Sequence, residues 1–314
     1  MPITRTKEGI WTLNVSPDEE QAASKSHPFY TDAFVRYLNA LDPAFSRALE
    51  ASEFEFLLAL LRIRGMQDAG WDPYETTLET IEVIRNLHEQ TKGFIARRHL
   101  TLWTYGHILE ASEPYELLAN LLEIVRGGRS RLQQFPLSAR GWPLSPGEKI
   151  SRIEKMAKGA CMPQVVLPCK EAWNRDFRNA IFHADYTLYG DEVRTIHPLR
   201  SYSNEEVLVL INRALAYHDA LANLRKMHLE SYTEPVIIPV HPDFSHDPDE
   251  RATVIVREGY GATGLKDAWT SSELAAGKIP FRLGRFLPGE TALLDANPEL
   301  ALLPRREKKQ PPVP

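Results

Sequence analysis

Apolar residues that recur three and four positions apart run through most of the first half of the chain. Such a stripe occupies one face of an α-helix, because about 3.6 residues complete each turn. It is present in residues 31–41 and 45–64, and residues 76–125 carry it almost without strand signals, with interruptions near Gly93 and Pro114. The spacing therefore predicts two helices in the first part of this region and two or three in the second.

Two further helices are predicted in the second half. The run Arg126-Gly127-Gly128-Arg129 ends the first helical region, because glycine favours helix C-termini and arginine suits the negative end of the helix dipole. The segment that follows is rich in proline, glycine and serine, which is typical of a connecting loop. Residues 148–158 and 207–228 then carry helical stripes, each after a serine and an early glutamate that favour a helix start.

Short β segments lie between and after these helices. Residues 186–196 alternate apolar and polar around Gly190-Asp191, which is typical of a two-stranded hairpin, and residues 236–240 and 253–256 are rich in β-branched side chains. The predicted fold class is mainly α, a helical bundle with a small β-hairpin and a short β-containing C-terminal appendage. The predicted division is an N-terminal arm at 1–30, a helical region at 31–128, a linker loop at 129–146, a second helical domain at 147–232, the appendage at 233–303 and a disordered tail at 304–314.

Composition restricts the classes of function. The chain has 314 residues, 43% of them hydrophobic, and a formal net charge of -5, so any binding of nucleic acid depends on a local basic patch. Its two cysteines, Cys161 and Cys169, indicate neither a zinc site nor a disulfide framework, and no cofactor is indicated. Without a signal-peptide core or an apolar run of about 18 residues, the sequence predicts a cytoplasmic protein with no membrane segment.

One short stretch, residues 173–186, concentrates arginine, asparagine and histidine at a predicted helix end. On an ideal helix Arg175, Asn179 and His183 lie on one stripe, whereas Arg178 lies well around the helix from His183. Arg178 and His183 come together only if the helix loosens near His183, or if two copies of the chain face each other across a two-fold axis.

The run Arg178-Asn179-Ala180-Ile181-Phe182-His183 matches the R-x-x-x-x-H signature of the HEPN superfamily, including the polar residue that often follows the arginine. The resemblance covers about residues 163–229, with the hairpin and the long helix in the expected order. It implies a helical bundle that usually dimerises. Many members are metal-independent ribonucleases of bacterial toxin–antitoxin, abortive-infection or other defence systems, and some are not nucleases.

For this chain, the resemblance implies that Arg178 and His183 are catalytic and that Asn179 positions His183 or the phosphate. It also implies RNA as substrate, a homodimer, and an antitoxin or other protein partner. The chemistry is consistent without a metal, because histidine exchanges protons near neutral pH and arginine can stabilise the extra negative charge of a phosphoryl transition state. Attack by a ribose 2′-OH would leave a 2′,3′-cyclic phosphate and a 5′-OH.

A purely structural role for the same residues is the alternative. A histidine in the last turn suits the helix dipole, Arg178 could pair with Asp176 or Asp185, and Asn179 could cap a turn. The protein would then be a non-catalytic module for dimerisation or for binding a partner.

Several other residue groups carry weaker signals. Cys169 is predicted to be a core residue, Trp173 and Tyr186 could stack on bases or simply pack, and residues 259–264 are expected to form a flexible turn. An arginine patch could bind RNA, although solvated helix ends explain it better, and a loop with ligand-type side chains matches no metal template. The patch comprises Arg97, Arg98, Arg126, Arg129 and Arg131, and the loop comprises His241, Asp243, His246, Asp247 and Asp249.

Overall fold

The architecture is that of a computed structural model, which describes residues 3–13, 28–62, 73–241 and 249–267. It is mainly helical with small antiparallel sheets, so the predicted fold class is confirmed. The helices are α1 (Pro28–Ala51), α2 (Glu53–Leu61), α3 (Pro73–Gln90), α4 (Phe94–Glu110), α5 (Ser112–Val125), α6 (Pro146–Gly159), α7 (Leu167–Ala172), α8 (Arg175–Phe182) and α9 (Asn204–Glu230). The strands are β1 (Ile3–Arg5), β2 (Trp11–Leu13), β3 (Tyr186–Tyr189), β4 (Glu192–Thr195), β5 (Arg200–Tyr202), β6 (Ile237–Pro239), β7 (Arg251–Arg257) and β8 (Gly261–Asp267).

The first two helices divide at a different place from the one that the sequence predicts. α1 continues through Pro43, and the break comes at Ser52, whose extended backbone and side-chain hydrogen bond from the Glu55 amide cap α2. Leu41 and Phe45, on either side of the proline, are both fully buried. Packing of this face outweighs the missing backbone hydrogen bond, so the predicted division between residues 41 and 45 is wrong.

Residues 76–125 are predicted to form two or three helices, and the structure has three, since α3, α4 and α5 fill the region and Gly93 is the N-cap of α4. The second break lies at Ala111, which places Pro114 in the first turn of α5. α5 ends as predicted, because the amides of Gly127 and Gly128 donate to carbonyls of the last turn and Gly127 has a positive φ of 82°. The loop between α5 and α6 is anchored to α2 by Glu55, whose carboxylate accepts hydrogen bonds from the amide and hydroxyl of Ser130.

α6 and α9 both begin with the predicted serine. Ser145 and Glu148 form a reciprocal capping box at α6, and Ser203 and Glu206 form another at α9. Each box satisfies backbone amides that a helix start otherwise leaves unpaired, which explains why both boundaries could be predicted to within a few residues.

The β structure is more extensive than the sequence predicts. The predicted hairpin exists, with Leu188 opposite Val193, but β5 pairs with β4 and makes a three-stranded sheet. Residues 259–264, predicted as a flexible turn, instead lead into β8, which pairs with β7. β1 and β2 form a further hairpin that the sequence reading missed; it packs on α1, where the Trp11 indole donates to Asp42 at 2.9 Å.

The core is formed largely by α1 and α9, which have the most extensive helix–helix interface in the described part of the chain. Polar links flank this interface. The Arg36 guanidinium donates two hydrogen bonds to the Glu171 carboxylate, at 2.6 and 2.8 Å, and Tyr30 and Arg85 both donate to Asp219. α4 packs on α9 and carries α8 on its other side, so the predicted site is anchored to the central helices.

Parts of some predictions lie outside the described residues. These are the tail at 304–314, most of the predicted appendage after residue 267, and three members of the ligand-type loop, Asp243, His246 and Asp247. None of the described helices is long and apolar enough to span a lipid bilayer.

Gly261 should be essential for docking β8 on α9. It has a positive φ of 71°, and a Cβ there would lie 2.0 Å from the Leu229 carbonyl oxygen. Gly261→Ala should therefore lower the free energy of unfolding by about 2–4 kcal/mol, measured by urea denaturation. Gly259→Ala is the matched control, because Gly259 also has a positive φ, of 76°, but no atom lies within 4 Å of an added Cβ. This variant should lower the free energy of unfolding by only about 1 kcal/mol. If the two variants lose the same free energy of unfolding, the predicted steric clash between a Cβ at position 261 and the Leu229 carbonyl is wrong.

Two buried histidines should make the fold acid-sensitive. Burial lowers the pKa of His218 and of His228 to about 4. The unfolded chain binds these protons near pH 6.5, so stability should fall as pH falls from about 6.5 to 4, by at most about 1.4 kcal/mol per pH unit for each imidazole. His228 stacks on Phe45, so His228→Phe should preserve packing at pH 8 and reduce this slope in urea titrations. An unchanged slope would show that His228 is not responsible.

Candidate functional site

The predicted motif lies on α8, a helix of eight residues with defined ends. Asn174 caps its start by accepting a hydrogen bond from the Phe177 amide at 3.0 Å. The Phe177 ring is buried against Tyr105 of α4 and Tyr202 of β5, with ring centroids 5.3 and 4.8 Å apart. This aromatic contact fixes the helix against two other elements of the fold.

α8 ends at His183 in a Schellman arrangement. The Asp185 amide donates to the Ala180 carbonyl at 2.8 Å, and the Ala184 amide donates to the Ile181 carbonyl. Ala184 has a φ of 53°, in the left-handed region that a non-glycine residue seldom adopts. The reversal directs the chain away from the helix immediately after the histidine.

Arg178 is held by neighbours on two helices. Its guanidinium forms an ion pair with Glu110, at the end of α4, and donates a hydrogen bond of 2.7 Å to the Asn179 side-chain oxygen. It also lies over the Phe182 ring, 4.9 Å from the centroid. Only 18% of the side chain is exposed, and burial lowers its pKa. The partner is thus Glu110 rather than the predicted Asp176 or Asp185.

His183 differs from Arg178 in its surroundings. Its imidazole is exposed, and among the described residues it has no hydrogen-bond or ion-pair partner. The structure brings Arg178 and Asn179 together, but it records no contact of either side chain with the His183 ring. Within the described residues, the two predicted catalytic side chains therefore share no hydrogen bond or ion pair.

A second imidazole lies at the same end of the helix. His197, on the connection between β4 and β5, forms an ion-pair contact of 2.8 Å between its Nδ1 and the Asp185 carboxylate, and 81% of its side chain is exposed. Asp185 is only two residues after His183. His197 could not be predicted from the motif, because it lies fourteen positions after His183 and beyond a hairpin.

Glu110 and Gly106 of α4 are the other residues that sequence analysis missed. A Cβ at Gly106 would lie 2.8 Å from the Phe182 ring, so this glycine allows α4 and α8 to approach closely. Nothing in the local sequence pairs α4 with α8, because Glu110 and Arg178 are 68 positions apart. Only a knowledge of which helices pack together could have identified either residue.

A groove of about 520 Å³ lies beside the motif, between the helices α3 and α4 on one side and α8 and β3 on the other. Its lining is mainly apolar and includes Ile181 and Ala184 from the motif region. The polar contact within it joins His99 Nδ1 to the Tyr186 hydroxyl at 2.8 Å. Trp103 stands at this contact with 55% of its surface exposed. Burial raises the pKa of Tyr186, and a contact with the Trp103 side chain opposes that rise.

The weaker candidates have local structural roles. Within the proposed arginine patch, Arg98 is buried and donates to Asn204, Arg126 pairs with Glu123, and Arg129 pairs with Glu55. Three of the five arginines are thus held by local partners. The described residues contain no cluster of His, Cys, Asp and Glu side chains that could hold a metal ion.

Two other side chains near the motif are accounted for by packing. Cys169 is fully buried, and burial raises the pKa of its thiol to about 12, as suits the predicted core residue. Trp173 is half-buried and packs against Gly147, where an added Cβ would lie 3.4 Å from the indole. Tyr186, the other flanking aromatic residue, instead lines the groove.

Comparisons of the chain with protein-family profiles, with curated proteins and with solved structures find no match.

The contact between Glu110 and Arg178 should stabilise the fold, because the half-buried guanidinium loses its countercharge in Glu110→Gln. We expect the free energy of unfolding to fall by about 1 kcal/mol in urea denaturation, a value discounted for partial exposure. Glu123→Gln is the matched control, since the pair of Glu123 with Arg126 is more exposed and should contribute less than about 0.5 kcal/mol. If Glu110→Gln and Glu123→Gln lower the free energy of unfolding equally, Glu110 does not anchor Arg178.

Proposed function

We propose that this protein is a metal-independent endoribonuclease of a bacterial defence or toxin–antitoxin system. In this proposal His183 is the acid–base group, Arg178 stabilises the transition state, and Asn179 positions the guanidinium. The observation that carries the proposal is the contrast between two side chains of one short helix: an exposed imidazole that has no partner among the described residues and, five residues earlier, a guanidinium oriented by Asn179.

The chemistry needs a base and an acid. The base removes the proton of a ribose 2′-OH, the oxygen attacks phosphorus in line, and the 5′-oxygen leaves with a proton from the acid. The products are a 2′,3′-cyclic phosphate and a free 5′-OH. Arg178 would contribute by donating hydrogen bonds to the phosphoryl oxygens as negative charge increases there.

A homodimer would complete this arrangement. The spacing of five residues on a helix sets Arg178 well around from His183, whereas a two-fold axis beside the motif would bring a second copy of each residue to the same place. An exposed apolar side chain of the motif would be covered in such a dimer, since Phe182 is 48% exposed. We further propose that the enzyme acts on cytoplasmic RNA and that an antitoxin or other protein partner controls it.

Substrate binding requires Arg178 to exchange partners. At rest the guanidinium is paired with Glu110, and a phosphate would have to displace that carboxylate or share the guanidinium with it. About one-third of the Glu110 side chain is exposed, but the carboxylate oxygen that contacts Arg178 is buried, so phosphate binding requires this carboxylate to move aside. This exchange makes Glu110 a positioning residue.

The test is cleavage of a structured RNA by purified protein in excess EDTA, with the product ends analysed. We expect the wild-type protein to yield 2′,3′-cyclic phosphate ends and His183→Ala to yield none. Arg178→Lys should fold but lose about a hundredfold in rate, because lysine keeps the charge and lacks the planar fork. The His197→Ala variant identifies whether the second imidazole contributes to proton transfer.

Certain results would contradict the nuclease. Cleavage that persists in His183→Ala at the wild-type rate would show a contaminating or different activity. Absence of cleavage by the wild-type protein, together with a stable homodimer in sedimentation equilibrium, would favour the alternative of a non-catalytic interaction protein. The specific observation in favour of that alternative is the Arg178 ion pair, since a guanidinium neutralised by Glu110 can serve packing alone.

A further inference from the structure

The groove beside α8 has the size and the lining of a ligand-binding site. Its volume of about 520 Å³ is that of a small-molecule site, and its lining residues come from four different elements. Most of the lining is apolar, yet a hydrogen-bonded histidine and tyrosine lie within it, and a tryptophan stands exposed beside them. An apolar slot with one polar contact and one large aromatic face suits a flat heteroaromatic ring.

The polar contact leaves one nitrogen free for a ligand. His99 Nδ1 is bonded to the Tyr186 hydroxyl at 2.8 Å, and Nε2 has no protein partner among the described residues. If the hydroxyl donates to Nδ1, the neutral ring carries its proton on Nε2 and can donate it to an acceptor. Carbonyl oxygens and ring nitrogens on the edges of nucleobases are such acceptors.

We propose that this groove binds a nucleobase of single-stranded RNA, with Trp103 stacked on the base and His99 hydrogen-bonded to its edge. The inference rests on the proposed nuclease function, because it names the part of the substrate that the groove holds. Ala184 lines the groove and directly follows His183 in the chain. A base held there would therefore place its neighbouring phosphate close to the imidazole.

Charge at the groove suits a polyanion. Thr91 and Ala96 line it, and the residues that follow them, Lys92 and Arg97, are both exposed. Neither cation lines the groove, but each is one residue from a lining residue, so both can approach the phosphate backbone of a strand whose base occupies the groove. Stacking on an aromatic ring tolerates all four bases, so the groove selects single strands rather than a sequence.

The test measures the affinity of a short fluorescein-labelled single-stranded oligoribonucleotide by anisotropy, in the His183→Ala background so that the strand stays intact. Adding Trp103→Ala should weaken binding about tenfold, and adding Tyr186→Phe should weaken it about threefold. The matched control is Trp142→Ala, because Trp142 is 70% exposed and does not line the groove. It should leave the affinity unchanged. An abasic strand of the same length should bind with equal affinity to the His183→Ala protein and to the His183→Ala/Trp103→Ala double variant.

The outcomes separate this inference from the nuclease proposal. Equal affinities of the Trp103 and Trp142 variants, with cleavage by the unmutated protein intact, would overturn the groove alone. Trp103-dependent binding without any cleavage would support the groove and overturn the nuclease. Loss of the homodimer in Trp103→Ala, with no RNA binding by any variant, would show that the groove is a surface for self-association and would also overturn the inference.

Discussion

The packing of α1 against α9 is the constraint on which the rest of the structure depends. Tyr37 and Leu41 of α1 and Tyr217 and Leu221 of α9 are fully buried, and burial of each leucine side chain is worth about 1.5–3 kcal/mol. Hydrogen-bonded carboxylates at Glu171 and Asp219 close the edges of this interface, so its charged groups are paired. α4 lies on α9, and α8 lies on α4, which means that the position of the motif follows from the central pair.

The motif itself shows how a surface helix can hold two contrasting side chains. Arg178 needs a countercharge because most of its surface is withdrawn from water, and Glu110 supplies it from the adjacent helix. His183 lies beyond the last turn, where the Schellman reversal leaves its ring in solvent. The first side chain is rigid and already oriented, while the second is accessible to a substrate or to a second copy of the chain. A reactive centre needs both properties, and one copy of α8 provides them at separate points.

Local signals account for the parts of the fold that could be predicted. Capping boxes at Ser145 and Ser203, the glycine stop at Gly127 and the turn at Gly190-Asp191 all act through bonds within a few residues. The predictions that are wrong involve contacts from far along the chain. α1 continues through Pro43 because buried side chains on both sides of it face the same core, and β8 forms because β7 offers it a partner. Neither partner is visible in the local sequence.

The sequence by itself determined the helical class, most helix boundaries and the presence of arginine, asparagine and histidine in fixed order on one short helix, because periodicity and capping are local properties. The tertiary structure alone decided that Glu110 neutralises Arg178, that His197 contacts Asp185 just after the motif, and that His99, Trp103 and Tyr186 meet in a groove. These arrangements bring together side chains up to 87 positions apart. Such contacts depend on which helices pack together, and that is settled by the burial of the whole core rather than by any short segment.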